Sequence, residues 1–167
     1  MKLILQFSII LMTFVSSLHA ETALELKSSY TFKYLLLDVY KIDLYLGQSN
    51  STEQALDDIP KKLVFTYNRD IPAKLLVKKA NESLADNPNF SFSKFQKDLD
   101  SLNKTYVDVK QGDVYIMQYT PSIGTELFLN SKKITTIPGY EFSKYYFGIW
   151  LSEYSFSKKL YKALVKP

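Results

Sequence analysis

The chain has 167 residues, no cysteine, one histidine and a formal charge of +4, with 46% hydrophobic and 15% aromatic residues. Disulfides and thiolate-ligated metals are thereby excluded. The basic residues are dispersed lysines plus the single Arg69, with no run longer than two, which excludes the arginine-rich stripe of a nucleic-acid binder.

The N-terminus reads as a targeting segment. Lys2 precedes an apolar stretch, Leu3 to Val15, broken only by Gln6, Ser8 and Thr13, and small or polar residues lead to Ala20 before Glu21. That is the layout of a secretory signal peptide, and the stretch is too short for a comfortable membrane span. Residues 1–20 are expected to be removed, leaving 21–167 as one domain in the periplasm or outside the cell. Membrane contact is expected only through an uncleaved segment. His19 leaves with the signal, so neither a histidine relay nor a metal site is expected in the domain, and no cofactor is implied.

Residues 23–46 read as extended structure. At their end Tyr40, Ile42, Leu44 and Leu46 alternate with Val39, Lys41, Asp43 and Tyr45, as in a half-buried strand. Gly47 to Pro60 is a polar connection. The next strand, "KKLVFTYNRD", turns Leu63, Phe65 and Tyr67 to one face and Val64 and Thr66 to the other. A helix follows, with Asp70 as its expected cap and Pro72 in its first turn; Leu76, Ala80 and Leu84 recur every fourth residue, and Asn87-Pro88 ends it. Phe92, Phe95, Leu99 and Leu102 mark a second helix.

Strands return at Val114 to Tyr119, "TELFLN" and "KKITTIP", with Asp113 holding a turn and Asn130-Ser131 forming a hairpin. After Gly139, Phe142, Tyr146 and Ile149 or Trp150 share a helical face, and a last helix from about Ser155 places Phe156, Leu160 and Leu164 in register. Packing of these two amphipathic helices on the sheet explains the aromatic run "YYFGIWL", with Gly148 permitting either close approach to the strands or a kink. The pattern is α+β: helices against one face of a mainly antiparallel sheet.

Five stretches in order resemble the bacterial exported branch of the chalcone isomerase-like family. They are "VYKIDLYL" at 39–46, "LVFTYNRDIPAKLL" at 63–76, "DVKQGDVY" at 108–115, "YTPSIGTELFLNSK" at 119–132 and "EFSKYYFGIWLS" at 141–152. The resemblance implies an open-faced sheet with a helical layer and a cleft between them. In plant enzymes of this fold the cleft holds a chalcone, and an arginine and hydroxyls assist its cyclisation. Other members bind fatty acids, holding the carboxylate with arginine and tyrosine.

The chain departs from the family pattern where chemistry is concerned. Lys33 matches a basic residue near the start of the long strand, and the glycine that follows it in the branch is Leu36 here. Where the plant enzyme carries its catalytic tyrosine this chain has Lys74 and Leu75, and its catalytic threonine falls near Tyr40. The plant catalytic set is not reproduced, and no catalytic residue is assigned.

Candidate ligand contacts are Arg69, Tyr40, Tyr67, Tyr45 and Lys33. The Arg69 fork suits a carboxylate, or alternatively a salt bridge to Asp70 or Asp38. The tyrosines join an apolar body to a polar tip, suited to an apolar ligand with one polar end or to core packing with a satisfied hydroxyl. Lys33, with Lys41, offers positive charge to an anionic ligand. The function expected is an exported, non-catalytic binder of a small apolar ligand, such as a fatty acid, with an intramolecular lyase and an envelope interaction protein without a pocket as alternatives.

Overall fold

Alternating side chains build a single sheet in the computed structural model, which describes residues 23–166. The expected signal segment lies outside the described residues. Strands β1 (Leu24–Tyr34), β2 (Leu37–Gly47), β3 (Lys61–Tyr67), β4 (Val114–Thr120), β5 (Gly124–Leu129) and β6 (Lys132–Ile137) lie side by side in chain order, every neighbouring pair antiparallel. Helices α1 (Ala73–Ala85) and α2 (Phe92–Asn103) interrupt the meander between β3 and β4, and α3 (Tyr140–Leu151) and α4 (Lys158–Val165) close it. The α+β architecture read from the sequence is the one observed.

Strand parity decides what is buried. Tyr40, Ile42, Leu44 and Leu46 of β2, Leu63, Phe65 and Tyr67 of β3, and Tyr115, Met117 and Tyr119 of β4 all point inward, none more than 8% exposed. Onto them the helices lower matching stripes: Phe95, Leu99 and Leu102 from α2, Phe142, Tyr146 and Phe147 from α3, Leu160 and Leu164 from α4. Burial of each such side chain contributes roughly 1.5–3 kcal/mol. The outer face keeps Lys41, Tyr45, Lys62, Val64 and Thr66 more accessible, and the buried acid Asp43 on it is held by Ser29 and Lys41. Two C-terminal carbonyls of α4 are satisfied from β1 and from the β2–β3 connection, since Ser28 Oγ donates to Leu164 O at 2.7 Å and Thr52 Oγ1 to Val165 O at 2.8 Å.

Four local expectations are corrected. Residues 23–46 are two strands, folded back at Leu35-Leu36, where φ is 48° and 69°. That is the paired left-handed geometry of a tight hairpin, made with residues that carry no turn signal. Asp70 does not cap α1; it accepts from Gln111 N at 2.9 Å and pairs with Lys110 at 3.0 Å, while Asp108 Oδ1 accepts from Ala73 N at 2.8 Å. The last helix begins at Lys158, capped by Ser157, which leaves Phe156 before it and 39% exposed. Gly148 does not approach the strands, since a Cβ there would meet only Ser152 at 3.6 Å. Gly124 is the glycine that close approach requires: its φ is +108° and a Cβ would collide with the Ile137 carbonyl across the ladder.

Candidate functional site: tyrosines between sheet and helices

Register places the site. Tyr40 lies opposite Tyr67, and Phe65 lies opposite Tyr115, so three tyrosines stand together on the inward face of β2, β3 and β4. Ring centroids are 5.8 Å apart for Tyr40–Tyr67 and 6.2 Å for Tyr67–Tyr115, both edge-on, the favoured geometry for aromatic pairs. Helix α3 adds two residues one turn apart. The Trp150 ring lies tilted against Phe65, centroids 4.9 Å apart, and its Nε1 donates to Tyr40 Oη at 3.2 Å, while Tyr146 Oη meets Tyr106 Oη at 2.7 Å.

The polar ends are unevenly satisfied. Tyr106 and Tyr146 answer one another, and Tyr40 accepts from Trp150. Tyr115 Oη is buried and, among the described residues, has no hydrogen-bond partner of ordinary geometry, with the Val107 backbone beside it. Burial drives the phenols of Tyr40, Tyr67, Tyr106 and Tyr146 well above the ordinary tyrosine range. All four are therefore neutral at physiological pH, able to donate a hydrogen bond and unsuited to act as a base.

Side chains fill the space between sheet and helices. Tyr40, Phe65, Phe142, Tyr146 and Phe147 are at most 8% exposed. A groove of about 770 Å³ is lined instead by residues of α3 and the segments around it, among them Asn87, Lys144, Tyr145, Gly148, Tyr154 and Tyr161.

The residues singled out from sequence fall into three places. Tyr40 and Tyr67 are together in the cluster. Lys33 and Arg69 are together at the exposed end of the strands, both on Asp38: Lys33 Nζ pairs with its carboxylate at 2.9 Å and Arg69 Nε donates to its backbone carbonyl at 3.1 Å. Among the described residues Arg69 forms no ion pair with Asp38 or Asp70. Tyr45 lies apart from both groups, on the outer face beneath Lys62, whose Nζ is 4.5 Å from its ring centroid.

Sequence reasoning missed Tyr106, Tyr115 and the hydroxyl of Tyr146. It also missed Lys61, which is fully buried at the other end of β3. Its Nζ donates to Asp57 O at 2.5 Å and stands 4.9 Å from the Tyr119 ring and 5.6 Å from that of Phe147. The signal was available, because Lys61 shares strand parity with Leu63, Phe65 and Tyr67.

One open antiparallel sheet, one helical layer and an aromatic interior between them define the class of fold. The chain belongs to the chalcone isomerase-like family, whose family model matches residues 16–165. Among solved structures, a fatty-acid binding protein of Arabidopsis thaliana superposes with a TM-score of 0.64 over 85% of this chain and 86% of its own, at 10% sequence identity. At that identity the likeness is one of fold. No curated protein sequence matches the chain.

Proposed function

We propose that the protein is a non-catalytic binder of a small apolar ligand, such as a fatty acid, and that it belongs to the bacterial exported branch of its family. In this reading the N-terminal segment is cleaved after Ala20 and residues 21–167 work in the periplasm. The observation that carries the binding role is the buried tyrosine cluster: a close-packed aromatic layer in which Tyr115 Oη is buried without a hydrogen-bond partner among the described residues. An unsatisfied buried donor costs on the order of 1–3 kcal/mol, and a ligand oxygen accepting from it recovers that. Lys33, near the end of β1, and Arg69, just past the end of β3, supply positive charge to an approaching carboxylate. The family membership and the fatty-acid binding of the Arabidopsis protein support the same reading.

Binding at this place requires movement. Trp150 of α3 lies against Phe65 of β3 in the closed arrangement, and a chain entering between them displaces α3 side chains from the sheet. Catalysis is not part of the proposal, because the plant catalytic set is absent and the clustered phenols are held protonated.

The test is to identify small molecules that co-purify with the protein by mass spectrometry and to titrate long-chain fatty acids by calorimetry. The expected result is stoichiometric binding that weakens about tenfold in Tyr115→Phe, the loss of one hydrogen bond. The filled sheet–helix space favours a second reading, a closed-core protein that acts through its surface. Absence of both a co-purified ligand and binding heat would select it.

A further inference from the structure

The β1–β2 hairpin ends in an apolar tip that no packing explains. Tyr34, Leu35, Leu36 and Leu37 are consecutive and 64%, 78%, 94% and 50% exposed. The turn needs positive φ at both central residues, a geometry that favours Asn and Gly, yet leucine fills both positions. Apolar exposure and backbone preference thus oppose the same two residues, and strain held at an exposed site points to use.

The surroundings are basic. Helix α1 carries Lys74, Lys78 and Lys79 against one acid, Glu82. Arg69 stands beside the tip, its Nε donating to the carbonyl of Asp38, the residue after Leu37, and Leu75 of α1 is 45% exposed. Asp38 is neutralised by Lys33, and Glu82 is shared between Lys78 and Lys79 at 3.7 Å and 2.7 Å. Arg69 and Lys74 have no carboxylate within salt-bridge distance among the described residues.

We propose that the Tyr34–Leu37 tip is a wedge that enters the surface of an anionic lipid bilayer, with Arg69 and the α1 lysines against the headgroup phosphates. An apolar point rimmed by cations fits the boundary between acyl chains and charged headgroups, and Tyr34 suits the headgroup level. A protein partner is less well matched, because a stable interface takes roughly 20 residues a side and a two-residue turn presents far fewer. The wedge gives the domain a membrane contact that does not use the N-terminal segment, and it stands whatever the interior binds.

The test uses the chain from Glu21 onward, which contains the whole sheet, all the helices and the core, so that the apolar N-terminal segment neither anchors nor covers the tip. Co-sedimentation is measured with vesicles of phosphatidylglycerol and phosphatidylcholine and with phosphatidylcholine alone. The proposal expects binding to the anionic vesicles that weakens with salt. Leu35→Asn with Leu36→Gly, which suits the turn and keeps the fold, should lower it at least tenfold, and Lys78→Glu with Lys79→Glu should lower it with the tip intact. Equal binding by the tip variant and the unaltered chain would overturn the proposal. So would an absence of vesicle binding together with a dimer that the tip variant disperses, which would assign the tip to a second copy of the chain.

Discussion

Leu35 and Asn130 occupy the same backbone position in two hairpins of one sheet, with φ of 48° and 49°, and each precedes a second left-handed residue, Leu36 at 69° and Ser131 at 67°. Asn130 is at home there. Its Oδ1 accepts from Val114 N at 2.9 Å and its Nδ2 donates to Asp113 Oδ1 at 2.8 Å. Leu35 has no such compensation, and a left-handed leucine costs about 1–2 kcal/mol. Leu35→Asn with Leu36→Gly should therefore raise thermal stability by roughly 1–2 kcal/mol, the relief of that strain less the entropy glycine adds to the unfolded chain. Calorimetric unfolding checks it; a lowered melting temperature would show that the leucines are not strained.

Lys61 should give the protein an unusual alkaline stability profile. Burial draws its ammonium down to about 8, opposed by the nearby Asp58 and Asp57. In the unfolded chain a lysine titrates near about 10.4. Between those values the unfolded state holds a proton that the folded state has released, so stability rises with pH across the window, by on the order of 3 kcal/mol. Above about pH 10 the buried tyrosines reverse the trend, because unfolded phenols ionise first. Urea unfolding from pH 7 to 10 should show the rise in the unaltered chain and lose it in Lys61→Met. Matching profiles for the two would contradict the burial of a charged lysine.

The tyrosine cluster predicts an order of effects. Tyr106→Phe strands the buried Tyr146 hydroxyl and should destabilise by roughly 1–3 kcal/mol. Tyr115→Phe removes a hydroxyl that has no partner, so stability should hold or rise slightly. Denaturant titration of both variants gives the comparison, and a larger loss in Tyr115→Phe would refute the hydrogen bonding described here.

Helix α1 takes its cap from a distant segment. Its N-cap residue, Pro72, has no side-chain acceptor, and Asp108 supplies one to Ala73 N. Asp108→Ala should cost about 1 kcal/mol, the usual worth of an N-cap. It should also speed amide exchange at Ala73. Asp70→Ala should leave that amide unchanged and loosen the Lys110–Gln111 turn instead; faster exchange at Ala73 in Asp70→Ala would reverse the assignment.

What was legible in the sequence followed local periodicity. The alternation through Tyr40 to Leu46 and Leu63 to Tyr67 gave the buried faces, and the stripes of α2 and α3 gave the helical layer. Parity could also have separated Tyr45 from Tyr40, because residues an odd number apart on one strand face opposite sides. Lys61 was readable in the same way, had its charge not suggested solvent. The Leu35-Leu36 turn was hidden because it lacks Gly, Asn or Pro, and the Asp108 cap because the residues it joins are 35 apart. Tyr106 sits in an aperiodic segment after α2, so only the folded chain brings its hydroxyl to Tyr146.

Trp150 offers the most direct test of ligand binding between sheet and helices. It is the only tryptophan, it packs on Phe65 and it donates to Tyr40, so its emission reports on that space alone. Titration with a long-chain fatty acid should shift Trp150 emission saturably at one ligand per chain, with a weaker response in Tyr115→Phe. Emission unchanged through excess fatty acid, with calorimetry equally silent, would contradict binding at the tyrosine cluster.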